Sequence, residues 1–199
     1  MSPQEDREPV FVEIAKKAFK KWTSFAASKD AAPPEDILSL QDSPLNEAAP
    51  SFFRHCVKES GKPANALAES FIVYKDLNPK ELAPVAGDST RKAVSWLTEK
   101  GGLPYIIIDK DSIAEVHRGR QKRVVGTIIL HETGHFVQHW EDLTKMPIPA
   151  LVPNGLPGAN AKQEEEAWWF AMCVLAAVVG QKARKDQEQG KPEEVWRLF

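Results

Sequence analysis

The chain has 199 residues, 42% of them hydrophobic and 27% charged. That is enough apolar material for a buried core, and it excludes a wholly disordered chain. With 26 Lys and Arg against 28 Asp and Glu, the formal net charge is −2, which argues against holding nucleic acid or a membrane surface by bulk positive charge.

The opening MSPQEDREPV is polar and acidic, without the apolar stretch of a secretory signal. Residues 6–28 place Val10, Ile14, Ala18, Phe19, Trp22 and Phe25 at helical spacing, with Lys16, Lys17, Lys20 and Lys21 on the other side. An amphipathic helix is expected there, broken at Ala31–Pro34. Residues 35–60 read as short helical pieces separated by Pro44 and Pro50. The stretch from Phe71 to Leu77 reads as a strand, Ser89–Lys100 as a helix stopped by Gly101 and Gly102, and Tyr105–Asp109 as a buried strand. Residues 120–141 form a long helical pattern. Residues 142–160 are rich in Pro and Gly and read as an irregular connection, with Pro147–Gly158 as one rim of a substrate groove. A second apolar helix is expected from about Ala161 to Lys185, and no apolar run reaches the ~18 residues a bilayer demands.

Cys56 and Cys173 lie far apart and outside any C-x-x-C pair, which points away from a thiolate zinc site. These features together suggest a cytoplasmic protein without a membrane segment. The expected organisation is an N-terminal helical extension at 1–60, a main domain at 61–185 and a charged tail at 186–199.

One motif dominates the chemistry: His131-Glu132-Thr133-Gly134-His135, an H-E-x-x-H preceded by Val124, Val125, Ile128, Ile129 and Leu130. Residues four apart on a helix are neighbours, so His131 and His135 can each aim a ring nitrogen at one ion. Glu132 is turned by about 100° from His131. There it can take a proton from a water that zinc has acidified, as a catalytic base. Gly134 costs about 1 kcal/mol inside a helix relative to Ala, so it implies close approach of another backbone or a ligand.

A catalytic zinc needs a third protein ligand and one open position. The candidates are Glu164, Glu166 and His139. On the downstream helix Glu164 falls within about 20° of Ala171 and Leu175, on the core face, whereas Glu166 is about 200° away. A carboxylate turned inward needs a cation, which favours Glu164. His139 would demand ligands from three successive turns of one straight helix, which converge poorly.

The pattern resembles the ImmA/IrrE family of zinc metallopeptidases. Its members show a strand, a basic linker, an apolar helix bearing H-E-x-G-H-x-x-x-H, and a later helix with E-x-E-A-x-x-F-A. The counterparts here are Tyr105–Asp109, then Arg118, Arg120, Lys122 and Arg123, then His131 to His139, then Glu164-Glu165-Glu166-Ala167-Trp168-Trp169-Phe170-Ala171. The resemblance spans roughly residues 65–180. It implies an α/β, zincin-like domain with a small mixed sheet, an active-site helix and a glutamate helix. It further implies zinc on His131, His135 and a glutamate of the second motif, Glu132 as base, and a protein or peptide as substrate. Family members cut a helix-turn-helix regulator; this chain shows no such segment, so the target would be a separate protein. The chain departs at Trp168, where related enzymes carry an Asp or Asn that orients a ligand.

Tyr74, Tyr105 and His117 are candidate donors to a developing oxyanion, with none assigned. Three other readings accommodate the same residues: a non-catalytic module whose zinc supports a binding surface, a hydrolase or lyase acting on a small biosynthetic substrate, and a sensor of zinc occupancy.

Overall fold

A computed structural model describes residues 7–28, 44–61, 72–75, 84–85, 88–92, 95–100, 103–109, 121–145 and 161–188. The first helix, α1 (Arg7–Ala27), buries Ile14, Ala18, Trp22 and Phe25, one apolar residue every three or four positions. It stops where Ser28 folds back, its backbone N–H and its hydroxyl both donating to the Phe25 carbonyl.

The second helix, α2 (Pro44–Glu59), corrects the expectation of short pieces: it runs unbroken through Pro50. Pro44 sits at its first position, where a missing N–H costs nothing. Pro50 is interior and costs about 3 kcal/mol through the lost hydrogen bond. Burial of Phe52, Phe53 and Val57, all fully covered, contributes about 1.5–3 kcal/mol each and outweighs it. The helix ends on Gly61, whose φ of 79° is the left-handed cap that favours glycine.

Five strands follow: β1 (Ile72–Lys75), β2 (Pro84–Val85), β3 (Asp88–Lys92), β4 (Ser95–Lys100) and β5 (Leu103–Asp109). The helix expected at Ser89–Lys100 is therefore corrected to two strands. β1 runs parallel to β5, with Ile72 opposite Ile106, and β4 runs antiparallel to β5, with Ser95 opposite Ile108. β2 and β3 pair separately. Two long helices complete the described chain, α3 (Gln121–Lys145) and α4 (Ala161–Glu188).

The expected α/β, zincin-like class is overturned: the described protein is mostly helical. Its helices are 21, 16, 25 and 28 residues long, and its longest strand has seven residues. Of the ten largest fully buried side chains, Ile106 and Ile108 come from a strand and the other eight from helices. Helix-on-helix packing, not a sheet layer, builds this core. The α1 and α2 side chains belong to the same apolar cluster as those of α3, α4, β4 and β5.

Cross-links give the helix directions. Arg7 pairs with Glu165 at 3.1 Å and Trp22 Nε1 donates to Gln181 at 3.1 Å, so α1 runs parallel to α4. His131 lies against Trp168 and His135 against Glu164, so α3 and α4 are antiparallel. Phe52 joins α2 to both α1 and α4, with Trp22, Phe25 and Phe170 around it. Among the described residues no helix is long and apolar enough to cross a membrane. The Pro-rich connection at 146–160 and the tail beyond Glu188 lie outside the described residues.

Candidate metal centre

The site forms where α3 and α4 come closest, and Gly134 permits the approach. A Cβ at that position would stand 2.8 Å from the Ala167 carbonyl oxygen and 3.0 Å from its Cα. Any side chain would push the two helices apart. The glycine implied by sequence to mark a close approach does mark one, to the α4 backbone.

This contact brings His131, His135 and Glu164 together, their ligand atoms all within 4.8 Å of one another. His131 Nε2 is 3.2 Å from one Glu164 oxygen, and His135 Nε2 is 3.3 Å from the other. The two Nε2 atoms are 3.1 Å apart. Each imidazole nitrogen has one in-plane direction, carrying a proton or a lone pair. With both protonated, two N–H groups face each other; with either bare, a lone pair faces the carboxylate. No arrangement of protons satisfies all three contacts. A central cation does, because every donor then offers it a lone pair. A tetrahedral zinc with bonds of about 2.0–2.1 Å would set its ligands about 3.3–3.4 Å apart, close to the 3.1 Å between the two Nε2 atoms.

The electrostatics agree. Burial would raise the Glu164 carboxyl, but hydrogen bonds from His131 and His135, with their charge, hold it down to about 2. Burial works against protonation of His135, yet the hydrogen bond to Glu164 and the charges of Glu132 and Glu164 raise it above the ordinary histidine value. The pocket is one in which positive charge between the rings is favoured.

Glu132 is 3% exposed, and Ser95 Oγ donates to its Oε1 at 2.6 Å. Sequence reasoning missed Ser95. Its segment has a helical local pattern, and no local signal announces a serine brought in by strand pairing. Thr133, the variable residue of the motif, is buried and donates to the Ile129 carbonyl at 2.7 Å, so it serves the helix rather than the site.

The competing ligands fall elsewhere. His139 Nε2 lies 3.3 Å from Glu166, one turn beyond the cluster. Burial, with the charge of His135 beside it, pushes His139 down to about 4, so it is neutral at neutral pH. Glu165 pairs with Arg7. Glu164, the glutamate favoured by the helical wheel, is the one set beside His131 and His135, although the Glu166 side chain is the more covered of the two, 13% exposed against 47%. Glu166 faces the crowded margin near Lys162 and α1, which a wheel drawn from α4 alone does not register. Both cysteines are free and buried, and neither belongs to the cluster.

No family model, curated protein or solved structure matches this chain. The likeness to ImmA/IrrE peptidases thus rests on the two motifs themselves. His117 lies outside the described residues, as do the side chains of Tyr74 and Tyr105, so the oxyanion donor stays unassigned.

Proposed function

We propose that the protein is a metal-dependent peptidase, with His131, His135 and Glu164 holding one divalent ion, zinc by donor type, and Glu132 acting as base. The observation that supports this most is the cluster of ligand atoms, with the two ring Nε2 atoms 3.1 Å apart and each within 3.3 Å of a different Glu164 oxygen, next to a buried carboxylate on the same helical turn. A bound zinc would supply Lewis acidity, drawing a water towards ionisation near neutral pH.

The chain's own residues would do the rest. Ser95 occupies Glu132 Oε1, which leaves Oε2 to accept a proton from the attacking water. The water oxygen bonds to the carbonyl carbon, the C–N bond breaks, and Glu132 returns the proton to the departing amine nitrogen. Hydrolysis of a peptide or protein, rather than of a small metabolite, follows from the motif likeness. A cytoplasmic setting belongs to the same reading.

One observation favours a rival. The three ligands join α3 to α4, so an ion there would also staple the two helices, as in a non-catalytic module. Exchange of Glu132 for Gln separates the two. The peptidase reading requires that Glu132→Gln bind metal as the parent does and lose cleavage in a peptide-library assay. Undiminished cleavage by the variant would discard Glu132 as base.

A further inference from the structure

A metal-binding histidine is ordinarily held in place by a hydrogen bond on its other ring nitrogen. His131 has none: its Nδ1 is buried without a hydrogen-bond partner among the described residues. Yet its Nε2 must aim at a point shared with His135 and Glu164. Something else has to fix rotation of the ring.

The neighbour in position to do so is Trp168. Its ring centroid lies 4.3 Å from that of His131, with the planes tilted by 34°. His135 closes the other side, edge-on at 4.6 Å. Trp168 stands one turn after Glu164 on α4, so one helix presents both a ligand and the cover for another ligand. It is also 43% exposed, among the more exposed large apolar side chains described. Core packing therefore does not account for an indole here.

We infer that Trp168 is a positioning residue, whose indole face holds the His131 imidazole in its metal-binding orientation in place of the missing hydrogen bond. The inference rests on the proposed metal site. Flat ring contact restricts rotation about the Cβ–Cγ bond without needing a polar partner. It also favours the loaded state: an imidazole bound to a dication becomes electron-poor, and the indole face is electron-rich. The tryptophan thus substitutes for the Asp or Asn expected at this position by a different physical means.

The test uses the full chain and three variants, Trp168→Phe, Trp168→Leu and Trp169→Phe. Zn2+ affinity is measured by chelator competition, and site geometry by the visible spectrum of bound Co2+. Phe keeps a ring face and should bind Zn2+ nearly as the parent does. Leu keeps apolar bulk without a face and should bind about tenfold more weakly, with altered Co2+ bands. The change in intrinsic fluorescence on adding Zn2+ should survive Trp169→Phe and vanish in Trp168→Phe. If the Leu variant matches the parent in affinity and Co2+ spectrum, Trp168 merely covers the surface and the inference is wrong. If the parent takes up neither ion, the metal reading itself falls and takes the inference with it.

Discussion

Ser95 Oγ donates a 2.6 Å hydrogen bond to Glu132 Oε1, tying the first residue of β4 to the second residue of the H-E-x-x-H turn. A hydrogen bond to a charged group contributes about 1.5–3 kcal/mol. Here it fixes which oxygen of Glu132 stays free. Ser95→Ala should lower kcat at least tenfold and leave KM and metal content unchanged, since the serine touches neither ligand nor ion. Steady-state kinetics with metal analysis check this; a purely raised KM would place Ser95 in substrate binding instead.

Gly134→Ala pits two effects against each other. Alanine gains about 1 kcal/mol in helix propensity. Its Cβ, however, would meet the Ala167 backbone at 2.8 Å, and a backbone atom cannot swing aside. Overpacking of this kind costs about 1–3 kcal/mol, so net destabilisation and weaker metal binding are expected. Urea unfolding with and without added zinc measures both. A variant as stable as the parent would mean that α3 and α4 separate freely.

Acid should weaken metal binding in a particular range. Glu164, held down to about 2, stays ionised at any ordinary pH. His135, raised above its usual value, is the proton competitor. Affinity should therefore fall as pH drops through a region above the ordinary histidine value, rather than near a carboxylate's usual value. The metal-free protein carries the opposite sign. The raised His135 contributes stability that is complete below the ordinary histidine value and is lost as pH rises through its folded value. Glu164 contributes stability present above about 4.5 and lost only as pH falls towards about 2. Calorimetric pH series on metal-free and zinc-loaded protein should show these opposed trends; parallel curves would remove His135 from the ligand set.

The helical core has its own test in Phe52. It is fully buried, with Trp22, Phe25 and Phe170 around it. Phe52→Ala should cost about 3–5 kcal/mol, read from denaturant midpoints. A loss near zero would mean that α2 does not join α1 to α4.

The cluster of His131, His135 and Glu164 was legible because it obeys local rules. His131 and His135 share a helical face by spacing alone, and Glu164 lies in line with Ala171 and Leu175 on one helix. The long helices were legible for the same reason. The Ser89–Lys100 segment was not: it is rich in helix-compatible Arg, Lys, Ala, Leu and Glu, and its strand state depends on pairing of Ser95–Lys100 with Leu103–Asp109. Pairing between segments outweighs local propensity there. The fold class was misjudged because the motif resemblance implies a sheet-containing zincin-like domain, whereas the mass of buried side chains among the described residues lies on helices. Ser95 inherited the misreading of its segment. Trp168 was visible as a departure from a pattern, but its contact with His131 depends on how two helices meet, which no single-helix argument supplies.

The proposed function requires one divalent ion between two rings of α3 and one acid of α4. Metal analysis by mass spectrometry, on protein equilibrated with zinc and then desalted, tests it most directly. One equivalent per chain is expected in the parent and in Glu132→Gln, and a small fraction of that in His135→Ala and Glu164→Gln. A parent without stoichiometric metal, or a Glu164→Gln variant that retains a full equivalent, would contradict it.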